Sequence, residues 1–191
     1  MIEGARSVAA FFRECLERAL RSRRVKASEL AEAYLVQLMT DLASPCRRPF
    51  GPGKQTLVEM LRDAHEAQGA DKARLYRELG DSALIWSGVF RERLLHQGMS
   101  LSYYESVGGG AYRHAGHLHR VLRASPIDDL CLELGAKFAK LSDALDEAAT
   151  LGLDTNDAGL VKLLGRFQRT KQPWMRDVLI LSGVDPEGAN N

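Results

Sequence analysis

Gly80-Asp81-Ser82-Ala83-Leu84-Ile85-Trp86-Ser87-Gly88-Val89-Phe90 is apolar on nearly every side, carries small residues at intervals, and opens on a lone carboxylate. A helix that is hydrophobic all round is buried within a protein rather than laid on its surface. The stretch therefore predicts a central buried helix with others wrapped around it. Gly88 follows Gly80 by eight residues, a spacing that returns to the same side of a helix and lets another backbone approach closely there. Asp81 stands at the mouth of the run, where an uncompensated charge is costly.

Working outward, the rest of the chain also reads as helix. Val8, Phe11, Phe12, Cys15, Leu16, Ala19 and Leu20 recur at i, i+3, i+4 and i+7, an amphipathic helix over about 7–21. Ser28 is a plausible N-cap for a second helix, with Glu29 and Glu32 in its first turn and a stripe of Leu30, Tyr34, Leu35, Leu38, Met39 and Leu42. Residues 44–53, with three prolines and two glycines, form the one long loop. Thr56 caps a third helix with Leu57, Met60, Leu61 and Ala64 facing inward. A fourth runs from Asp71 to about Gln97 and is closed by Gly98.

Ser102 and Glu105 form a capping-box pattern for a fifth helix reaching about Arg123. Ser125-Pro126 opens a sixth, with Ile127, Leu130, Leu134, Phe138, Leu141 and Leu145 on one face and Gly152 at its end. Thr155 or Asn156 caps a seventh, with Leu160, Leu163, Leu164 and Phe167 inward, and a short eighth follows Pro173. No alternating strand pattern persists anywhere. The expectation is an all-α, compact single-domain bundle of seven or eight helices over 1–184, with 185–191 a flexible tail.

Length and charge narrow the function. A chain of 191 residues with 45% hydrophobic content suits one core. A net charge of +1 gives no overall nucleic-acid footprint. Cys15, Cys46 and Cys131 are odd in number and widely spaced, without a C-x-x-C pair, so they read as reduced cytosolic thiols. Glu3, Arg6, Arg13 and Glu14 occupy what would be the apolar core of a signal peptide. No run of 18 apolar residues is long enough for a membrane span. The expectation is a cytoplasmic protein with no membrane partner.

The fourth and fifth helices belong together. Tyr104, Gly108, Ala111, Ala115, Leu118 and Leu122 share one face of the fifth, beside Gly109 and Gly110. Glycine inside a helix costs roughly 1 kcal/mol against alanine, so three in a row need a reason. Either they pack closely on the Gly80, Ser87 and Gly88 side of the fourth helix, or they mark a bend that opens a cavity.

Tyr34-Leu35-x-x-Leu38, Gly80-Asp81-x-Ala83-Leu84-x-x-Ser87-Gly88 and Tyr103-Tyr104-x-x-x-Gly108-x-x-Ala111-Tyr112 resemble a family of uncharacterised bacterial all-helical proteins. The resemblance spans residues 28 to 122. It implies a bacterial cytoplasmic protein and carries no activity with it.

The chemical groups offer two classes of function. His114 and His117 lie roughly 60° apart on a helix and are placed to share a metal ion. His119 falls on the other flank, and no H-E-x-x-H or E-x-x-H motif supplies a carboxylate, so surface and flanking histidines are the plainer reading and no metal is expected. Asp81 must be paired, hydrogen-bonded or protonated, with an arginine, His114, Tyr104 or Tyr112 as its partner. There is no G-x-S-x-G elbow, phosphate loop or dinucleotide fingerprint, so neither catalytic residue nor cofactor is expected. The basic residues form three groups: Arg18 to Lys26; Arg47, Arg48 and Lys54; and Arg166, Arg169, Lys171 and Arg176. The first complements a helix dipole and reads as a solvated face.

The first class is a non-enzymatic regulatory or adaptor protein acting by protein–protein interaction, as a homodimer or with another partner. Phe50 and Pro173-Trp174-Met175 are its candidate contacts. The second is a small-ligand or metal-binding protein with a pocket between the fourth and fifth helices, lined by Asp81, Tyr104, Tyr112 and His114.

Overall fold

The computed structural model describes residues 8–43, 55–122, 126–152, 157–171, 179, 184 and 185. Among them the regular structure is entirely helical: α1 (Val8–Ser22), α2 (Glu29–Ala43), α3 (Leu57–Glu66), α4 (Gly69–Ser87), α5 (Arg91–His96), α6 (Leu101–Leu122), α7 (Pro126–Ala136), α8 (Phe138–Gly152) and α9 (Asp157–Thr170). The loop at 44–53 with Phe50 and Cys46, Ser125, the caps Thr155 and Asn156, Pro173-Trp174-Met175 and residues 186–191 lie outside the described residues. None of the described helices is long and apolar enough to cross a membrane.

Helix starts follow local chemistry. Ser28 Oγ accepts from the Ala31 amide at 3.1 Å and caps α2. The same hydroxyl donates to Glu133 at 2.5 Å, so the cap also ties α2 to α7. Thr56 and Glu59 form a reciprocal capping box at the head of α3. The α6 start differs from the expected Ser102: Ser100 Oγ accepts from the Tyr103 amide, because Leu101 and Ser102 are already within the first turn. Leu61 and Leu30, expected inside, are 39% and 46% exposed. Their stripes are narrower than the sequence periodicity suggests.

The expected helix over 71–97 is two. Gly88 closes α4, donating its N–H to Leu84 O, and Arg91 Nε reaches back 2.8 Å to the Ser87 carbonyl. That guanidinium satisfies a carbonyl which a continuing helix would have used itself. The expected sixth helix is likewise bent, at Lys137, into α7 and α8. Two residues earlier, Arg113 Nη1 of α6 donates to Gly135 O at 3.0 Å. A side chain drawing on a backbone carbonyl is a recognised cause of helix bending.

α4 packs against α3, α5, α6 and α8. Gly80 through Ile85, Ser87 and Gly88 are buried, and Trp86 is partly so. The main core joins Leu16, Leu35, Leu79, Leu84, Tyr112, Leu134, Leu141 and Leu145 from six helices. Phe167 and Leu179 form a separate small cluster.

Close packing accounts for most of the small residues, and α6 runs unbroken through Gly108, Gly109 and Gly110. A Cβ on Gly80 would lie 2.8 Å from the Tyr112 ring, and one on Gly108 would collide with Phe138 and lie 2.7 Å from Ala83 Cβ. The face is shared differently from the expectation, however. Gly88 meets α8, where a Cβ would lie 2.8 Å from Leu145 Cβ, and Ser87 accepts from Ser142 at 2.9 Å. Gly110 has nothing within 4 Å of a Cβ, and no packing requirement explains it.

Candidate functional site

Asp81 lies at the junction of α2, α4 and α6. Tyr112 Oη of α6 donates to Asp81 Oδ1 at 2.6 Å. Tyr34 Oη of α2 donates to both carboxylate oxygens, at 2.7 and 2.9 Å. Gly80 makes this arrangement possible, because any side chain there would occupy the space of the Tyr112 ring. The Gly80-Asp81 pair thus works as a unit: one residue admits the ring and the next binds its hydroxyl.

The electrostatics follow from burial without a cation in direct contact. Asp81 is 6% exposed, and no ion pair reaches it among the described residues. Desolvation raises its pKa from the ordinary carboxylate value to about 6, against the pull of the Tyr112 and Tyr34 hydrogen bonds and of Arg77 one turn earlier. Arg77 Nε is itself buried without a hydrogen-bond partner among the described residues. Burial and the neighbouring carboxylate push both the Tyr34 and Tyr112 hydroxyls upward, so each stays protonated and donates. Cys131 is also pushed up, to about 12, mainly by burial. A thiol held so firmly protonated is a poor nucleophile.

Of the four expected site residues, the structure brings together Asp81 and Tyr112. Tyr104 packs at the core margin, edge-on to Tyr103 with ring centroids 5.7 Å apart. His114 is exposed, its ring 4.7 Å from that of Tyr76. Neither hydrogen-bonds Asp81 among the described residues. His117 is exposed as well, and no group of three or more His, Cys, Asp or Glu is placed to hold a metal among those residues. The sequence reading missed Tyr34 as a partner. Its signal was a hydroxyl-bearing ring on an otherwise aliphatic stripe, since a buried tyrosine hydroxyl needs a partner.

A second polar assembly was also missed. Asp146 of α8, 5% exposed, pairs with Arg166 of α9 and lies 3.7 Å from Arg91 of α5. Arg91 also binds Asp143 at 2.7 Å, while Arg166 donates to Thr150 at 2.8 Å. Glu92 meets Arg166 at 3.3 Å and Arg169 at 3.2 Å. On the same helix, Glu147 takes Arg23 Nε at 2.7 Å. Burial raises the pKa of Asp146 and Glu147, and their arginines counter it. Arg166 and Arg169 are therefore structural ion-pair partners. A third feature is an open hollow of about 610 Å³ at the α1–α2 turn, lined by Leu20, Val25 and Ala27 together with Arg21, Arg24, Lys26, Glu17 and Glu32.

Fold and sites together define an all-helical protein, among its described residues, with a carboxylate–tyrosine clamp and an ionic seam. No family model, curated protein or solved structure matches the chain.

Proposed function

We propose that this is a non-enzymatic bacterial cytoplasmic protein, folded as one compact domain around α4, that acts by binding another protein in a regulatory or adaptor role. The observation that carries this reading is the α5–α6 corner. Leu95, Met99 and Tyr103 are 52%, 42% and 38% exposed within nine residues of sequence. Large apolar side chains left exposed so close together in the chain favour an interaction surface, where methionine and tyrosine are enriched. The partner is a second copy of this chain or a different protein. Membership of the uncharacterised bacterial helical family rests on the motif residues, among which Tyr34, Asp81 and Tyr112 form one hydrogen-bonded set.

The test is a double variant, Leu95→Lys with Met99→Lys. Solution mass over a range of concentrations, and specific partners retained from the native host, are compared with wild type. A dimer or a partner held by wild type and lost by a folded variant supports the reading. Identical masses and identical retained partners overturn it. The alternative, a small-ligand or metal pocket at Asp81, Tyr104, Tyr112 and His114, has less support. Asp81 is already occupied by two tyrosine hydroxyls, and the other two residues do not reach it.

A further inference from the structure

We propose that Asp81 is a proton-binding switch, in which uptake of one proton reverses its hydrogen bond with Tyr34 and so alters the tie between α2 and the α4–α6 pair. The geometry supplies the reasoning. Among the described residues the carboxylate is buried and held by neutral donors alone. The titratable and charged groups around it are Tyr34 from α2, Arg77 and Glu78 on α4, Tyr112 from α6, and Cys131 with Asp128 beyond it from α7. None of them is a cation within ion-pair distance of it. A buried carboxylate in such surroundings favours its neutral form more than one in water does.

The two protonation states require different bonds. Ionised Asp81 accepts from both tyrosines. When a solvent proton adds to Oδ2, the new O–H needs an acceptor, and the Tyr34 oxygen at 2.9 Å is placed to receive it. Tyr34 then turns its own proton outward to water, which its half-buried position permits. Tyr112, wholly buried, continues to donate to Oδ1. One proton is taken up and no covalent bond is broken: the hydrogen bonds that Tyr34 donates to Oδ1 and Oδ2 give way to one donated by Oδ2 to the Tyr34 oxygen and one from Tyr34 to water. α2 otherwise packs mainly on α1 and touches α7, so the Tyr34 bond is a principal polar link from α2 to the α4–α6 pair.

The experiment is a carbon-detected NMR titration of aspartate side-chain carboxyls in wild type, Tyr34→Phe and Asp81→Asn, with amide exchange of α2 followed over the same pH range. The resonance absent from Asp81→Asn is expected to titrate near pH 6 in wild type. Tyr34→Phe deletes a donor to the ionised form and an acceptor for the neutral form, so that midpoint should move up by less than about one to two pH units, the worth of a hydrogen bond to a charged group. After correction for intrinsic exchange, α2 protection should change across the midpoint in wild type and stay level in Asp81→Asn. A midpoint at or below about pH 4, the value of an ordinary carboxylate, overturns the proposal, as does α2 protection that ignores the Asp81 titration. Should Asp81→Asn fail to fold, the wild-type titration and its shift in Tyr34→Phe decide the matter alone.

Discussion

Gly108 and Gly110 stand two residues apart on one helix and should respond oppositely to the same substitution. Each is an interior helical glycine, so alanine gains roughly 1 kcal/mol of helix propensity at either position. At Gly110 the new methyl group meets nothing within 4 Å, and the gain stands. At Gly108 it would lie 2.7 Å from Ala83 Cβ and collide with the Phe138 ring, where separations under 3.0 Å essentially never occur. Phe138 is itself 4% exposed and Ala83 wholly buried, so neither has room to retreat. Overpacking of this kind costs about 1–3 kcal/mol. The propensity gain is common to both variants, so their difference isolates the packing cost at about 1–3 kcal/mol. For a domain of this size each kcal/mol moves the melting temperature by roughly 2–4 °C. Thermal melts at one pH and one concentration measure it. If Gly108→Ala melts as high as Gly110→Ala, the α4–α6–α8 contact is looser than the geometry states and the close-packing argument fails.

The same logic extends to four further sites. Gly88→Leu forces α4 away from Leu145 and Ser142 and should cost about 1–3 kcal/mol or more, checked by chemical denaturation; an unchanged midpoint would contradict it. Asp146→Ala takes a buried carboxylate from Arg166 and Arg91, whose side chains are only 12% and 14% exposed, leaving them Glu92 and Asp143, and should cost about 1.5–3 kcal/mol. Arg74→Ala, which breaks only the exposed pairs with Asp71 and Glu78, should cost under about 1 kcal/mol, and equal losses would refute the distinction. Tyr112→Phe removes a donor from ionised Asp81 and should cost about 1.5–3 kcal/mol at pH 8 but less at pH 5, below the Asp81 pKa of about 6. In wild type, a raised folded pKa means that the Asp81 contribution to stability is full below the unfolded carboxylate value. It is lost as pH rises through about 6. Melting curves from pH 4 to 8 for wild type and Tyr112→Phe test both statements, and parallel profiles would refute them.

What could be read from the sequence depended on how far away each cause lay. Helix starts at Ser28 and Thr56 were legible because the capping group and the amide it receives are three residues apart. The interruptions at Gly88 and Lys137 were not. At Gly88 the glycine admits α8 while Arg91 takes the Ser87 carbonyl, and at Lys137 an α6 arginine takes the Gly135 carbonyl; neither α8 in the first case nor α6 in the second is near in sequence. Burial of Asp81 was legible from its apolar neighbours, and Tyr112 was one of its expected partners beside Tyr104, His114 and an arginine. Tyr34 was not, because on its own helix it reads as one more member of an apolar stripe.

The ionic seam is the instructive case. Asp143, Asp146, Glu147 and Thr150 repeat at i, i+3, i+4 and i+7, a stripe that in isolation has the spacing of a solvated face. The same helix buries Leu141, Ala144, Leu145 and Ala148, so two of the acids are carried inward with them. Their partners are Arg23 in the turn after α1, Arg91 of α5 and Arg166 of α9. An acidic stripe and a scattered set of arginines are each unremarkable alone. Opposing charges buried together exclude mispaired packings, since a misplaced helix leaves an ion stranded out of water. In this chain the polar residues bridge particular helices: Asp81 ties α2 and α6 to α4, and Asp146 ties α5 and α9 to α8.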